Sequence, residues 1–455
     1  MLYSGNIPVK IQISDGAREL LSALKAHGYD AYAVGGCVRD SLSGVTPHDW
    51  DICTSATPDE MREVFKSYRV IDTGSKHGTL TVLHGGKSYE ITTFRVDGGY
   101  SDGRRPDNVS FTRRLEDDLS RRDFTINAMA ADAGGSVVDL FGGRKDLAAG
   151  IIRCVGNAGT RFDEDALRIL RALRFSAVLG FSFDPETEAA IFEKRENLRK
   201  VSGERILDEL LRMLEGEFIE QVLLEFGEVL AVPIPEIAPC VNFEHRNRWH
   251  HLDVWAHICH AVALGPKDRR VRLALLMHDL AKPICAEDKE NGHRRFHGHP
   301  AKSAELSEAR LRALHAPKAL ITLVTNLVRL HDEDLLPKPS LAGRFLRELG
   351  DEGALLLCEV QLADARAHRL SHPPALERVR NVDATRALMK RLIAEEAPYL
   401  PSRLAVNGSD VASLNFEGAE IAHALEKLCD LALEGKVENE KEALLKTAKG
   451  FTRNK

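Results

Sequence analysis

The sequence has no run approaching the roughly 18 consecutive apolar residues that a helix needs to cross a bilayer, so a membrane-spanning role is not expected. Its opening, MLYSGNIPVKIQ, lacks the basic-then-apolar order of a secretory leader. The eight cysteines are scattered without a C-x-x-C pair, which argues against both a disulfide framework and a thiolate zinc site. Together these absences point to the cytoplasm. Excess basic charge is missing too. The formal net charge is −6, so a nucleic-acid partner must be held by local basic patches and not by the overall field. No internal repeat or low-complexity tract is found.

What is present suits a soluble globular chain. Charged residues make up 29% and hydrophobic ones 44% of 455 residues, enough for two to four domains. The first 150 residues mix β-like runs (DAYAVGG, GTLTVLHGG, SYEITTFRV, SVVDLFGG) with helix-like segments and frequent glycine. From about Arg161 strand signals end. Segments such as DEDALRILRALRFSAVLG and GERILDELLRMLEG then space apolar residues three and four apart, as amphipathic helices do. The expected fold is α+β, with an N-terminal mixed β-sheet domain followed by an elongated all-helical body.

Within HDWDIC, residues 48–53, two acids flank a tryptophan. On a strand, residues two apart share a face, so Asp49 and Asp51 would stand together while Trp50 and Ile52 turn to the core. Like charges so close repel unless a cation sits between them. Upstream, AVGGCVRD ends a β-like run in Gly35-Gly36, where backbone amides can approach a phosphate at a helix start, and Arg39 can add a charge-assisted contact. Glu90, in SYEITTFR, offers a third carboxylate, with Tyr89 and Ile91 facing the other way. Three such acids could hold two Mg²⁺ ions and a triphosphate, the requirements of nucleotidyl transfer. Arg-Arg pairs at 104–105, 113–114 and 121–122 add a patch suited to phosphate, although Glu116, Asp117 and Asp118 lie among them.

RFDEDALRILRALRF reads as one amphipathic helix, with Asp165, Arg168 and Arg171 at three-residue steps on one face and Arg174 continuing it. A carboxylate only accepts hydrogen bonds and a guanidinium only donates them. Asp165 and Arg168 could therefore match the amine-plus-acceptor edge shared by cytosine and adenine, and reject uracil and guanine, whose edges would leave polar groups unpaired.

GGCVRD, DWDICTSATP, TGSKHGTLTV, YEITTFR, DGRRPD, RRDFTINAMA, RFDEDALRILRALRF and GERILDEL, in this order, resemble the bacterial class II tRNA nucleotidyltransferases, the CCA-adding enzymes of the poly(A) polymerase superfamily. The resemblance covers the first half of the chain. It implies that Gly35, Gly36 and Arg39 bind the triphosphate, that Asp49 and Asp51 hold Mg²⁺, and that Glu90 is the third catalytic carboxylate. It places Arg122, Asp123 and Asn127 near the sugar and phosphates. Asp165 and Arg168 become the template for the base, Arg171 and Arg174 complete the nucleotide site, and GERILDEL braces the helix. The implied partners are tRNA, CTP and ATP. Poly(A) polymerases of this type carry a basic segment where this chain has DTGSKHGTLTV, and CC-adding enzymes tend to lack a DGRRPD-type loop. Both features favour full CCA addition over poly(A) synthesis or partial (CC- or A-) addition.

Between residues 250 and 368, HHLDVWAHICHAVAL, LALLMHDLAKP, RFHGHPAKSAEL, LVRLHDEDL and EVQLADARAH resemble the HD phosphohydrolases. The family spacing implies a metal set of His257, His278, Asp279 and Asp364, with His299 and His331 for a second ion. It favours His257 over His250, His251 and His260. Mixed imidazole and carboxylate donors suit Mn, Ni, Co, Fe or Zn, with Mg²⁺ an alternative, and Lys282 could contact phosphate. The implied activity is hydrolysis of phosphate esters, such as 2′,3′-cyclic or 2′-phosphate RNA ends. The opposing alternative is an HD nucleotide hydrolase whose N-terminal domain only binds. The expected domains are a nucleotidyltransferase head (1–150), a helical templating and RNA-binding neck (151–235), an HD domain (236–395) and a helical tail (396–455), as monomer or homodimer.

Overall fold

The computed structural model describes residues 10–98 and 109–451, so the DGRRPD segment and its Arg104–Arg105 pair lie outside the described residues. Two compact units are formed, Met1–Glu209 and Leu210–Lys455.

In the first unit, helix α1 (Asp15–Ala26) buries Ala17, Leu20, Leu21 and Leu24, the single stripe that its apolar spacing dictates. Strand β1 (Ala31–Val34) runs through Gly35 into helix α2 (Gly36–Leu42). Strands β2 (Ile52–Thr54), β3 (Arg69–Gly74), β4 (Thr79–His84), β5 (Lys87–Thr93), β6 (Met129–Ala131) and β7 (Val137–Asp139) complete a seven-stranded sheet. Its order is β3-β4-β5-β2-β1-β6-β7, antiparallel throughout except for β2 beside β5, which makes it mixed. Ala33, Ile52 and Met129 enter the core on one face, and their neighbours Val34, Cys53 and Ala130 enter the core on the other. Both faces carry apolar packing, which leaves polar chemistry to the segment ahead of β2 and to the open Glu90 side of β5.

Gly143 opens a short helix after β7 and packs against the turn Thr125–Asn127. A Cβ there would lie 2.2 Å from the Thr125 carbonyl oxygen, a backbone atom with no room to yield. Gly143→Ala is expected to cost about 1–3 kcal/mol and lower the thermal midpoint by several degrees, measured by circular-dichroism melting.

Helices α3 (Ala158–Glu164), α4 (Leu167–Leu179) and α5 (Gly203–Leu214) follow. The single helix expected through RFDEDALRILRALRF is thus two. Asp165 is extended (φ −144°, ψ 102°), and its Oδ1 accepts the Leu167 amide at 3.1 Å. An aspartate whose side chain captures a nearby N–H competes with the helical ladder and restarts it instead of continuing it.

The second unit contains α6 (Val254–Leu264), α7 (Arg269–Met277), α8 (His299–Ala313), α9 (Lys318–Leu330), α10 (Pro339–Ala367, broken at Gly350) and α11 (Pro373–Ala394). Helix α6 packs on α7 and α10, α8 on α9, and α10 on α11. Strand pairing does not end at Arg161 as the sequence suggested. Ser182–Phe183 pairs with Ile151–Ile152, and Glu287–Asp288 pairs with Arg294–Arg295. Two-residue strands are too short to leave a periodic signal. No described helix is long and apolar enough to cross a membrane.

Candidate active site and metal centre

Asp49 and Asp51 lie in the extended stretch just ahead of β2, not on the strand itself. The Asp51 carbonyl accepts the Val34 amide at 2.9 Å, but Gly35 then turns the chain away, and Asp49 has no strand partner among the described residues. The alternation holds nonetheless. Trp50 and Ile52 are buried, and both acids turn away from the core. Ile52 pairs in parallel with Ile91, which sets Glu90 alongside Asp51, while Tyr89 and Ile91 turn inward. Partial burial raises the Asp51 carboxyl above its ordinary pKa. Arg122 opposes that rise, and Glu90 and Asp49 add to it. A carboxyl whose charged form is opposed by two neighbouring acids fits a divalent cation and its oxygen ligands.

Gly35 has φ 83°, a backbone region that L side chains rarely adopt, and a Cβ there would stand 3.2 Å from Arg122 Nη1. A Cβ on Gly36 would stand 3.6 Å from Arg39 Nη2. Two guanidinium groups therefore close on the bare backbone of this turn, an arrangement suited to phosphate oxygens. Arg39 also donates to Asn127 Oδ1 at 2.7 Å, and Asn127 Nδ2 donates to Asp123 Oδ1 at 3.2 Å. Arg171 donates twice to Asp123 Oδ2, at 2.8 and 2.6 Å. Burial works to raise the Asp123 carboxyl, but Arg171 overrides it and holds the group down at about 2. This network keeps the acid ionised and the arginine fixed.

Asp165, Arg168 and Arg171 line one cavity of about 250 Å³ with Arg122, Asp123 and Arg205. Asp165 Oδ2 pairs with Arg205 at 2.7 Å. Arg168 donates to Glu164 at 2.8 Å and to the Arg121 carbonyl at 2.9 Å, so the two residues are positioned separately and do not bind each other. Glu209 pairs with Arg174 at 2.7 Å and with Arg171 at 3.5 Å. Arg205 and Glu209 both come from GERILDEL. The individual parts played by these two residues, and by buried Asp118 under Arg121 and Arg122 at 2.7 and 3.3 Å, were not read from the sequence. A carboxylate three or four residues before an arginine pair was the available signal for Asp118. Arg113 and Arg114 are tied to Glu60 and Glu116, at 2.8 and 2.6 Å, and so take their charge balance within the chain.

In the second unit, His257, His278, Asp279, His299, His331 and Asp364 come together from α6, α8, α10 and the C-terminal ends of α7 and α9. Asp279 lies 3.1 Å from His278 Nε2, 3.2 Å from His299 Nε2, 3.6 Å from His257 Nε2 and 3.7 Å from His331 Nε2. Asp364 lies 3.0 Å from His257 Nε2 and 3.6 Å from His278 Nε2. Backbone carbonyls of Leu275, Phe296 and Val328 accept Nδ1–H from His278, His299 and His331, at 2.6, 2.9 and 2.6 Å. That fixes the tautomer and leaves each Nε2 lone pair aimed inward, the usual outer support of a metal ligand. His278 Nε2 and both Asp279 oxygens are buried without a hydrogen bond of proper geometry. Burial would lower the His278 pKa, yet the carboxylates lift it to about 10. This pocket calls for positive charge, and a proton is a poor substitute for a cation there. The donor set fits a transition metal.

His260 pairs with Glu220 at 2.7 Å outside the cluster, and His251 is exposed. His250 does face it. His250, His257 and His368 form one potential ligand group, and His245, His250 and Asp279 another. His245 and His368 were not singled out from the sequence, because an isolated histidine carries no periodic mark. Lys282 differs from expectation. Its ammonium lies 2.5 Å from Asp279 Oδ2, 3.2 Å from His245 Nε2 and 3.3 Å from His250 Nε2, so its three N–H groups face acceptors within the protein and not an open phosphate position. Burial and the nearby Lys282 keep His245 neutral, with its pKa lowered to about 2.

Family models of the "Poly A polymerase head domain" and the "Probable RNA and SrmB- binding site of polymerase A" match residues 31–153 and 180–239. The chain is 46% identical over 259 residues to the CCA-adding enzyme of Geobacillus stearothermophilus, a match covering 55% of this chain and 63% of that protein. It is 52% identical over 208 residues to that of Lactobacillus johnsonii, covering 46% and 51%. The chain thus spans about half to two thirds of the length of these curated relatives. A crystal structure of the Bacillus stearothermophilus CCA-adding enzyme with CTP matches with TM-score 0.73 at 33% identity, covering 96% of this chain and 97% of that one. A Thermotoga maritima CCA-adding enzyme complexed with tRNA shares the fold, with TM-score 0.58 at 19% identity.

Proposed function

The chain belongs to the family of CCA-adding enzymes, and from that premise we propose that it adds C, C and A to the 3′ end of tRNA from CTP and ATP without a nucleic-acid template. The observation that carries this reading is the convergence of Asp49 and Asp51, just ahead of β2, with Glu90 on β5, beside the Gly35–Gly36 turn and its two arginines. Asp49 and Asp51 would hold Mg²⁺, which when bound lowers the pKa of the attacking 3′-hydroxyl and neutralises charge on the triphosphate. Arg39 and Arg122 bind the triphosphate over the turn, and Glu90 orients the acidic end of the site. Asn127 and Asp123 set the sugar side, with Arg171 and Arg174 fixed by Asp123 and Glu209. Asp165 accepts from the exocyclic amine of cytosine or adenine, and Arg168 donates to the adjacent ring nitrogen.

Residues 1–150 serve as the catalytic head, 151–235 as the templating and RNA-binding neck, 236–395 as a metal-dependent phosphohydrolase and 396–455 as the tail. In the third segment His257, His278, Asp279, His299, His331 and Asp364 would hold one or two divalent ions, which supply Lewis acidity toward a phosphate ester. Cyclic or 2′-phosphate RNA ends are the proposed substrates, so that a damaged end is cleared before extension. What supports this second activity is the set of inward-facing Nε2 atoms gathered on the buried Asp279 and Asp364 carboxylates.

The deciding experiment is extension of tRNA lacking CCA with each labelled nucleotide singly and together. The expected products are CC with CTP alone and CCA with both nucleotides. A ladder of A residues would indicate poly(A) synthesis, and arrest at CC with both nucleotides a partial enzyme. Asp165→Ala is expected to erode the preference for CTP over UTP by about 10–100-fold, because one buried hydrogen-bond complement worth about 1–3 kcal/mol is lost.

A further inference from the structure

The phosphohydrolase reading leaves a cavity of about 990 Å³ over the histidine cluster largely unused. Asp279, Lys282 and Asp364 form part of its floor. Trp249 also lines it and is 37% exposed, whereas Trp50 and Trp255 are 7% and 3% exposed. The backbone of Trp249 is anchored. Its carbonyl accepts the Arg369 amide at 2.7 Å, and its own amide donates to Asn247 Oδ1 at 3.0 Å. Its ring stands edge-on to His372, with centroids 4.9 Å apart and planes at 86°, and to His368 at 6.0 Å. His368 Nε2 in turn lies 3.8 Å from Asp364. One imidazole therefore separates the tryptophan from the acidic floor, a span comparable with that between a nucleotide's phosphate and its base.

The rest of the lining has a matching character. Arg248, Lys289 and Arg295 are exposed around the cavity and carry no ion pair among the described residues. Arg378 lies 3.5 Å from Asp364 Oδ2 and 3.1 Å from Asp332, so the lining's acids are partly neutralised. A fixed aromatic plane beside unpaired cations is how single-stranded nucleic acid is gripped without reading its sequence. We infer that Trp249 is the stacking platform for the terminal base of a phosphate-ended RNA strand, with Arg248, Lys289 and Arg295 taking the phosphates of preceding residues. The inference rests on the phosphohydrolase reading and names its substrate class, a single-stranded RNA end instead of a free phosphate ester.

The full chain is titrated with a pentanucleotide bearing a 2′-phosphate on its last residue, and with the same strand whose last residue is abasic. Tryptophan emission is followed in wild type and in Trp249→Phe, which isolates the signal of the exposed indole. The expected result is saturable quenching of the Trp249 emission, with half-saturation about tenfold lower for the intact strand, and no such component in Trp249→Phe. Equal half-saturation by the two strands, or quenching that persists in Trp249→Phe, overturns the assignment. Hydrolysis of the two strands is followed in parallel. The wild type should favour the intact end about tenfold in kcat/KM, and Trp249→Ala should bring the two toward equality. If neither strand is hydrolysed, the phosphohydrolase reading fails, while the quenching still decides the role of Trp249.

Discussion

Asp51→Asn is expected to reduce nucleotide incorporation into tRNA by about three orders of magnitude or more, with little change in the fold. The loss follows from removing one of the three oxygen donors that converge ahead of β2 and on β5, because metal activation contributes several kcal/mol to such a step. Single-turnover incorporation of labelled CMP at saturating CTP measures it. The raised pKa of Asp51 adds a second readout. Protons compete with Mg²⁺ for a carboxylate whose charged form is already disfavoured, so the Mg²⁺ concentration for half activity should rise as pH falls toward that pKa. The stability sign is opposite to that of a salt-bridged acid. A carboxyl whose folded pKa is raised contributes stability at low pH, and that contribution is lost as pH rises through the folded pKa. Near neutrality without Mg²⁺, the asparagine variant should therefore melt no lower than wild type. Incorporation within tenfold of wild type would rule the assignment out.

Asp279→Asn is expected to lower bound transition metal by at least tenfold and to abolish phosphate-ester hydrolysis, while tRNA extension persists. Asp279 touches four imidazoles and the Lys282 ammonium, more charged or polar partners than the other carboxylate, Asp364, has. Losing the carboxylate removes a ligand and leaves a buried ammonium short of its counter-charge. Breaking a buried pair costs about 3–5 kcal/mol. Metal content by mass spectrometry after dialysis against Mn²⁺, Ni²⁺ or Zn²⁺, together with a thermal melt, separates the two effects. Metal content equal to that of wild type would remove Asp279 from the centre.

These two residues also differ in how far the sequence could lead to them. Asp49, Asp51 and Glu90 were legible because the period of an extended chain is two, so faces can be counted off residue by residue even where pairing stops short of the acids. The mixed sheet followed by helices was legible for the same reason, from runs that repeat every two residues or every three to four. Asp165 shows where counting fails. Its side chain captured a local amide and broke the helix that periodicity had drawn through it. Arg205 and Glu209 could be assigned to bracing, but which arginine or acid each one meets depended on how two helices pack.

The sequence alone thus determined which residues share a face within a strand or helix, and which chemistry each could supply. Only the tertiary structure decided which of several histidines meet. It brought His257, His278 and Asp364 together from positions 257 to 364, drew in His245 and His368, and turned Lys282 onto Asp279. The physical reason is range. Local periodicity fixes direction over a few residues, whereas convergence across a hundred depends on the packing of whole helices, which no short pattern encodes.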